Sequence, residues 1–597
     1  MGTYQSRYWH RVWLVGILTL LSARVGLPIA TGQASLTTVG TGQPQSCTEQ
    51  VLRTALANGG LIQFNCGGAV TIPLSSELVV SVDTEIDGGG RVQGGLITLS
   101  GQNMTRILQT SNQAALTIRN LTLRDGKGVG SDGRAGAIRG GWRAPVTVIN
   151  SVFLHNDGTS GNQEAGGGAI FVHETTLIVD QCRFESNRGI NGGAINNLLS
   201  TLKISRSSFT NNQATLYGGA VYTDGASWPT DDTQGGLIDI RSSSFENNQA
   251  TGQGGAAFLF AYPPDTISID TSSFRNNLVS KDPGGTALGG ALRLGNADFS
   301  ISNTTISANI ARGQGGGVWH GDQGRGQLTN VTIANNQAIA NPASNTSGLG
   351  GGIVGGNWAC FNCTIANNTA GYQGGAVWGT APTIKMVNSI IVHNTALNDG
   401  NPWNIKHNCG SYPSAYASDG GGNIEYPGPN PRDNSDVLCV AGALVVDPQL
   451  LPLADNGGLV QTMALSVNSP ALSHAVSPCP ANDARAIPRP QGTGCDAGAY
   501  ERVAQLSLQP TFVFAGSEAI LLKVVGEGFA DSDQIVWDGM PYITQYVDSA
   551  TLTALIPANE LISPREVLVQ VSNSSLPVVR FRVLKLNGYV YLPLLQR

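Results

Sequence analysis

Three carboxylates, Glu174, Asp224 and Asp322, each stand just downstream of a short glycine motif, at positions where chemistry could sit. Paired carboxyls can divide general-acid and general-base work across a glycosidic bond when their separation suits it. Glu174 and Asp224 fall two repeats apart, about 10 Å if each repeat contributes one layer of strands, slightly wider than an inverting hydrolase uses. The expectation is solvated surface carboxylates, with catalysis by these three as the alternative. Asp231 and Asp232 lie side by side in the insertion between Asp224 and Gly235. Two adjacent acids are no cage for calcium, and no metal or other cofactor is expected.

A second set follows the glycine motifs themselves. The residue after the last apolar position of each motif reads, in order, Arg139, Phe171, Asn196, Tyr222, Phe258, Arg293, Trp319, Val354 and Trp378. Five of these nine are aromatic in a chain that is 6% aromatic, so composition does not account for the column. Aromatic faces stack on sugar rings, and arginine forks hold carboxylates. One reading is an outward stripe that binds polysaccharide through Arg139, Phe171, Tyr222, Phe258, Arg293, Trp319 and Trp378. The other is that exterior strand positions favour aromatics anyway and that insertion loops cover them.

The elements that must position both sets are written as a repeat. The motifs are AGAI at Ala135, GGAI at Gly167 and Gly192, GGAV at Gly218, GGAA at Gly254, GGAL at Gly289, GGGV at Gly315, GGGI at Gly350 and GGAV at Gly374. Each is followed, usually about sixteen residues on, by a Phe or Ile with Asn at the third position after it. These anchors run Phe153, Phe184, Phe209, Phe245, Phe274, Ile306, Ile333, Ile365 and Ile391. Successive motifs lie 24 to 36 residues apart, as in a solenoid whose repeats bury apolar faces only against their neighbours. Helical repeats are excluded, because each unit would carry Gly-Gly and Asn in helix interiors. The segments before the anchors alternate instead, as in Leu202 to Phe209, and period two means strand.

Aligned on the anchor, the repeats show apolar columns seven and five positions before it, a polar residue three before and a small residue two before. The Asn column predicts a hydrogen-bonded ladder from rung to rung. The expected fold is all-β: a right-handed parallel β-helix followed by a small immunoglobulin-like β-sandwich. The expected segments are an export signal (1–34), a helix-and-strand cap (35–66), the solenoid (67–400), a loop-rich, disulfide-stapled end that closes it (401–502), the sandwich (503–586) and a short apolar tail (587–597). Ser46 and Glu49 have the spacing of a capping box for the first helix. The apolar run from Val12 to Leu21 is shorter than a membrane span. No other stretch qualifies, so no spanning segment is expected in the mature chain. With 12% charged residues and a net charge of −6 there is no basic stripe for nucleic acid.

Nine cysteines sort by column. Cys182 and Cys363 fall two positions before an anchor and Cys360 five before, so all three are expected as reduced core fillers. The remaining six are expected to pair by proximity as Cys47–Cys66, Cys409–Cys439 and Cys479–Cys495. A zinc site at Cys360 and Cys363 would lack a second ligand pair at metal spacing.

The alternation of GGA[IV] with FxxN from Ala135 to Asn394 resembles the repeats of the polymorphic outer membrane protein family of surface adhesins and autotransporters. The flanking IPRPQGTGCDAGAYE (Ile487 to Glu501) resembles the ends of such repeats in secreted surface proteins, and Phe512 to Leu584 resembles an IPT/TIG module. An autotransporter barrel would need a longer C-terminal stretch than follows Arg502. The resemblance implies an exported, non-catalytic adhesin that binds polysaccharide or another cell-envelope component. Pectate-lyase-like and polygalacturonase-like enzymes share the helix, but the ligand sets and motifs those enzymes use are not visible in this sequence. A polysaccharide lyase or glycoside hydrolase is the second reading and a structural surface-layer protein the third.

Overall fold

The computed structural model describes residues 35–585, apart from 91, 131, 163–165, 229–234, 281–286, 322, 341–346, 380–382, 401–406, 412–416, 432–435, 504, 527 and 575. The expected export signal, the apolar tail (Tyr589 to Leu595), Asp322, Asp231 and Asp232 lie outside these residues.

The alternating segments form the sheets of a parallel β-solenoid. A first sheet of 14 strands runs from Leu36–Val39 to Ser418–Asp419, and a second of 14 carries the anchors. A third has 12 strands, nine of which begin within or directly after the glycine motifs, and a short fourth of 8 strands lies between the second and third in chain order. The nine are β1 (Ile138–Arg139), β2 (Ile170–His173), β3 (Ile195–Leu198), β4 (Val221–Asp224), β5 (Ala257–Phe260), β6 (Leu292–Gly295), β7 (Val318–His320), β8 (Ile353–Val354) and β9 (Val377–Gly379).

The anchors stack in register, and the five phenylalanines Phe153, Phe184, Phe209, Phe245 and Phe274 are fully buried with ring centroids 4.5–4.8 Å apart. Each ladder Asn donates one amide hydrogen to the next Asn, as Asn212 Nδ2 does to Asn248 Oδ1 at 2.9 Å. It donates the other to the anchor carbonyl of the preceding rung, as Asn248 does to Phe209. The left-handed turn belongs to the residue before each ladder Asn, as at His155, Ser186 and Asn211, with φ of 54°, 54° and 57°. The polar position three before the anchor is a second left-handed corner, at Asn150, Gln181 and Arg206. Asn and other polar residues suit both because they tolerate positive φ and face water. In the glycine motif the second Gly is a packing requirement. A Cβ on Gly219 would lie 1.9 Å from the Gly255 carbonyl oxygen of the next rung, and one on Gly255 2.0 Å from that of Gly290.

At the N-terminal end, α1 (Glu49–Asn58) buries Leu52, Ala55 and Leu56 against the first rung. Its N-cap is Thr48, not Ser46, and Glu49 pairs with Arg53 at 2.6 Å instead of closing a capping box.

The segment following the last rungs does more than close an end. It runs back along the outside of the second sheet, where Met463, Leu465, Ala471 and Ala497 pack on Ala334, Ala366, Ile390, Val392 and Ile424. Thr305 donates to Gln461 O, Asn330 to Asn482 O and Asn362 to Asp496 O, while Ala499 N donates to Thr364 Oγ1. Gly498 (φ 89°) makes this approach possible, since a Cβ there would lie 2.8 Å from Ile390 Cδ1 and Thr364 Oγ1. The strap is held in shape by a buried pair, Arg489 Nη1 to Glu501 Oε2 at 2.7 Å, with Arg489 also donating to Asp496 O and Gly498 O. Beyond Arg502, one sheet of four strands and one of five enclose a separate core that includes Trp537 and Phe581.

Disulfides join Cys47–Cys66, Cys409–Cys439 and Cys479–Cys495. Cys182 is free and buried. Cys360 and Cys363, expected as reduced, are bonded to each other. Cys360 lies on the strand Trp358–Phe361 and Cys363 stands just before the strand Thr364–Ala366, with left-handed Asn362 (φ 51°) turning the chain between them. Both side chains point inward at that corner and their Cα atoms come within 5.9 Å, inside disulfide range.

Candidate functional site

The outward column of the third sheet is continuous. Arg139, Phe171, Asn196, Tyr222, Phe258, Arg293, Trp319, Val354 and Trp378 pair in register across β1 to β9. Its exposure lies between the two readings, an open stripe and a column covered by loops. Phe171, Asn196, Tyr222, Phe258 and Val354 are buried, and only Arg139, Arg293, Trp319 and Trp378 are half-buried. The cover comes from the segment that precedes each glycine motif: Tyr217 stacks on Phe258 at 5.5 Å, and Arg134 lies over Phe171 at 5.2 Å. Arg139 is spent on Asp132, at 2.7 Å. Trp378 packs against Gly410, where a Cβ would lie 2.5 Å from its ring.

Around β4 to β7 the column opens into a cluster. Side chains two apart on a strand share a face, so Asp224 and Phe260 join Tyr222 and Phe258 outside the helix. Tyr222 stacks on Phe258 at 5.0 Å, and Tyr262, 43% exposed, meets Phe260 edge-on at 5.2 Å. The Tyr262 hydroxyl donates to Asp224 Oδ1 at 2.9 Å. Burial, followed by that carboxylate, pushes the phenol up to about 12. Arg293 lies at the centre, its guanidinium carbon 4.7 Å from Phe258, 5.1 Å from Phe260 and 5.1 Å from Trp319. The missing side chain of Gly295 makes this room, since a Cβ there would sit 2.0 Å from Arg293 Nη1. Burial pushes Arg293 down to about 10, against the opposing influence of Tyr222, Tyr217 and Asp224, so it stays cationic at neutral pH. Arg293 Nε and Nη1 are buried without a hydrogen-bond partner. Nη2 makes no hydrogen bond within the described residues either and is not among the enclosed atoms, so it is the group that reaches the surface.

A second cluster adjoins it at the turns leaving the third sheet. Glu174 is buried, contrary to the expected solvated carboxylate. Its Oε2 accepts from Trp142 Nε1 at 2.5 Å and from Arg143 Nε at 3.4 Å, and its Oε1 lies 3.2 Å from His173 Nε2. Burial holds His173 below its ordinary value, with Glu174 opposing. Arg143 lies 4.4 Å over the Trp142 ring and 4.9 Å over that of Trp228, which leaves β4 four residues after Asp224. Glu174 is thus tied to three partners and Asp224 to one, so neither is a free acid poised at a bond. Trp142, Arg143, Trp228, Phe260 and Tyr262 were not marked by the sequence columns. The same-face parity of Phe258 and Phe260 could have found one of them; the turn tryptophans occupy no fixed repeat position.

The described residues contain no group of three or more His, Cys, Asp or Glu placed to hold a metal, and no helix long and apolar enough to cross a membrane. A parallel solenoid with a half-covered aromatic and arginine face belongs to the class of repeat-built proteins with an extended lateral surface. The repeat itself matches a known type: residues 206–224 and 242–259 fit the Chlamydia polymorphic membrane protein repeat. Those two stretches hold the anchors Phe209 and Phe245, the ladder residues Asn212 and Asn248, two glycine motifs, and Tyr222 and Phe258 of the cluster. No curated protein matches the chain, and no solved structure does.

Proposed function

We propose that this protein is secreted or displayed at the cell surface as a non-catalytic β-helix adhesin, and that it binds an acidic polysaccharide of a cell envelope through the cluster around Arg293. The unit beyond Arg502 serves as spacer or docking module. The observation that carries the reading is the Arg293 guanidinium, cationic, seated among three aromatic rings and, among the described residues, without a paired carboxylate or hydrogen-bond partner. Aromatic faces supply stacking for sugar rings, and the outward Nη2 of a cationic guanidinium supplies a charge-assisted donor for a sugar carboxylate. The match to a membrane-protein repeat supports the surface location. Glu174, held by Trp142, Arg143 and His173, acts as a positioning group, which favours binding over lysis or hydrolysis.

The test is isothermal titration of the purified chain with short oligogalacturonates and with their methyl esters. The acids are expected to bind, the esters to bind at least tenfold more weakly, and Arg293→Gln to lose at least tenfold with an unchanged melting temperature. Equal affinity for acid and ester, or for wild type and Arg293→Gln, overturns the assignment.

A further inference from the structure

The two clusters are parts of one lane. Trp228 belongs to the turn after β4, the strand that carries Tyr222 and Asp224, yet its ring lies 6.4 Å from that of Trp142, which follows β1. Trp142 and Trp228 therefore reach toward each other across the intervening rungs, and Trp228 links the arginine and tryptophan pair at the β1 end to the strand of Tyr222 and Asp224. From β1 to β7 there are six parallel steps, about 29 Å at the spacing of adjacent strands. Near each end stands an arginine laid over aromatic rings with guanidinium nitrogens unclaimed. Arg143 uses only Nε, toward Glu174, and its Nη1 and Nη2 make no hydrogen bond within the described residues. At the other end, Arg293 Nη2 makes no hydrogen bond within the described residues.

We infer that this lane binds a single acidic polysaccharide chain lengthwise, parallel to the solenoid axis, with Arg143 and Arg293 each taking one sugar carboxylate and Trp142, Trp228, Trp319 and Tyr262 taking sugar faces between and beside them. The inference rests on the proposed function and adds to it a second subsite and a minimum ligand length. Phe260, under the Arg293 guanidinium, and Tyr262 carry that cluster to the outgoing edge of the third sheet, the edge where Trp142, Arg143 and Trp228 stand, and a solenoid face offers a path along it. The formal net charge of −6 opposes any diffuse attraction of a polyanion, so binding must come from local cations. Glu174 fixes the orientation of the Trp142 indole and of Arg143 Nε, which leaves the outer guanidinium nitrogens directed away from it. Two weak contacts on one chain act as a linked pair, so affinity climbs steeply once the ligand reaches both and levels off beyond that.

The experiment titrates the full chain with oligogalacturonates of increasing length at fixed ionic strength. Wild type is expected to show a jump of at least tenfold in affinity as the oligomer becomes long enough to span the lane, then a plateau. Arg143→Gln is expected to keep the short-oligomer affinity and to lose the jump. Trp142→Phe, which keeps a ring but not the indole donor, is expected to reduce it severalfold. Arg293→Gln is expected to weaken short and long oligomers alike. A length-dependent jump that survives intact in Arg143→Gln and in Trp142→Phe, with melting temperatures unchanged, overturns the second subsite while leaving the Arg293 reading standing. Failure of wild type to bind any oligomer overturns both.

Discussion

Replacing Asn248 by Ala tests what holds one rung to the next. Asn248 sits mid-ladder with no solvent exposure. Its Oδ1 accepts from Asn212 N at 3.0 Å and Asn212 Nδ2 at 2.9 Å, and its Nδ2 donates to Phe209 O at 2.9 Å and Asn277 Oδ1 at 3.0 Å. Truncation breaks four hydrogen bonds: it leaves Asn212 N without an acceptor and one Asn212 Nδ2 hydrogen unpaired, while Asn277 Oδ1 keeps the Asn248 backbone N–H at 2.9 Å. An unsatisfied buried polar group costs about 1–3 kcal/mol, so the two unpaired Asn212 donors set the expected loss at about 2 kcal/mol or more, before any cavity is counted. The assay is thermal and urea unfolding of the variant, with hydrogen exchange read at the Asn212 amide. That amide should lose protection before those of distant rungs, because its only acceptor is gone. Asn247→Gly, at the exposed left-handed corner beside it (φ 56°), is the control and should change stability by less than about 1 kcal/mol. A loss below about 1 kcal/mol in Asn248→Ala with the Asn212 amide still protected would refute the claim that the ladder binds the rungs.

Gly295→Ala should push Arg293 off the rings and reduce binding of acidic oligosaccharide at least tenfold, and unaltered titration would show that Gly295 does not set the site. Glu425 takes the anchor position in the rung after Ile391, and burial raises its carboxyl to about 7, against hydrogen bonds from Cys439 N, Val440 N and Asn408. Its folded value lies above the unfolded one, so the folded state holds the proton more tightly, and stability should fall as pH rises from about 4.5 to about 7 and then level off. Glu425→Gln should flatten that slope in melting scans, whereas an unchanged slope assigns it to another group. Cys182 is buried, with its thiol pushed up to about 12 by that burial, and should resist iodoacetamide in the native protein while becoming the single site alkylated after unfolding without reductant. Alkylation at Cys360 or Cys363 under those conditions would contradict the Cys360–Cys363 bond.

The solenoid and its interior were legible because a parallel rung repeats its register every turn, so Phe153 to Phe274 and Asn156 to Asn394 could be aligned by counting. Column counting gives the direction of a side chain within one strand, but not how two strands converge at a corner. This is why Cys360 and Cys363 were read as separate fillers. Exposure of the outward column was not legible for a related reason. Tyr217 and Arg134, which cover Phe258 and Phe171, come from the stretch between anchor and glycine motif, the part of the repeat whose length varies. Glu174 was misjudged because its partners Trp142 and Arg143 reach it from the rung before, over a sequence distance that no local pattern encodes. The role of Arg489, Asp496, Gly498 and Glu501 in shaping the strap needed the hydrogen bonds themselves.

The strap changes how the molecule can come into being. An unadorned solenoid can add rungs one at a time as chain becomes available, each new layer needing only the last. Here the stretch made after the rungs must travel back over five of them, from Ile424 down to Thr305, before Gly498 and Gln461 find their places. Assembly therefore has an order. The rungs must already be in register when the strap arrives, since an error in one of them would misplace the Asn and Thr side chains that receive it. The same arrangement works in reverse, because a rung between Thr305 and Ile424 cannot peel away alone while the strap is docked across it. A chain that emerges N-terminus first would thus stack its layers first and lock them last.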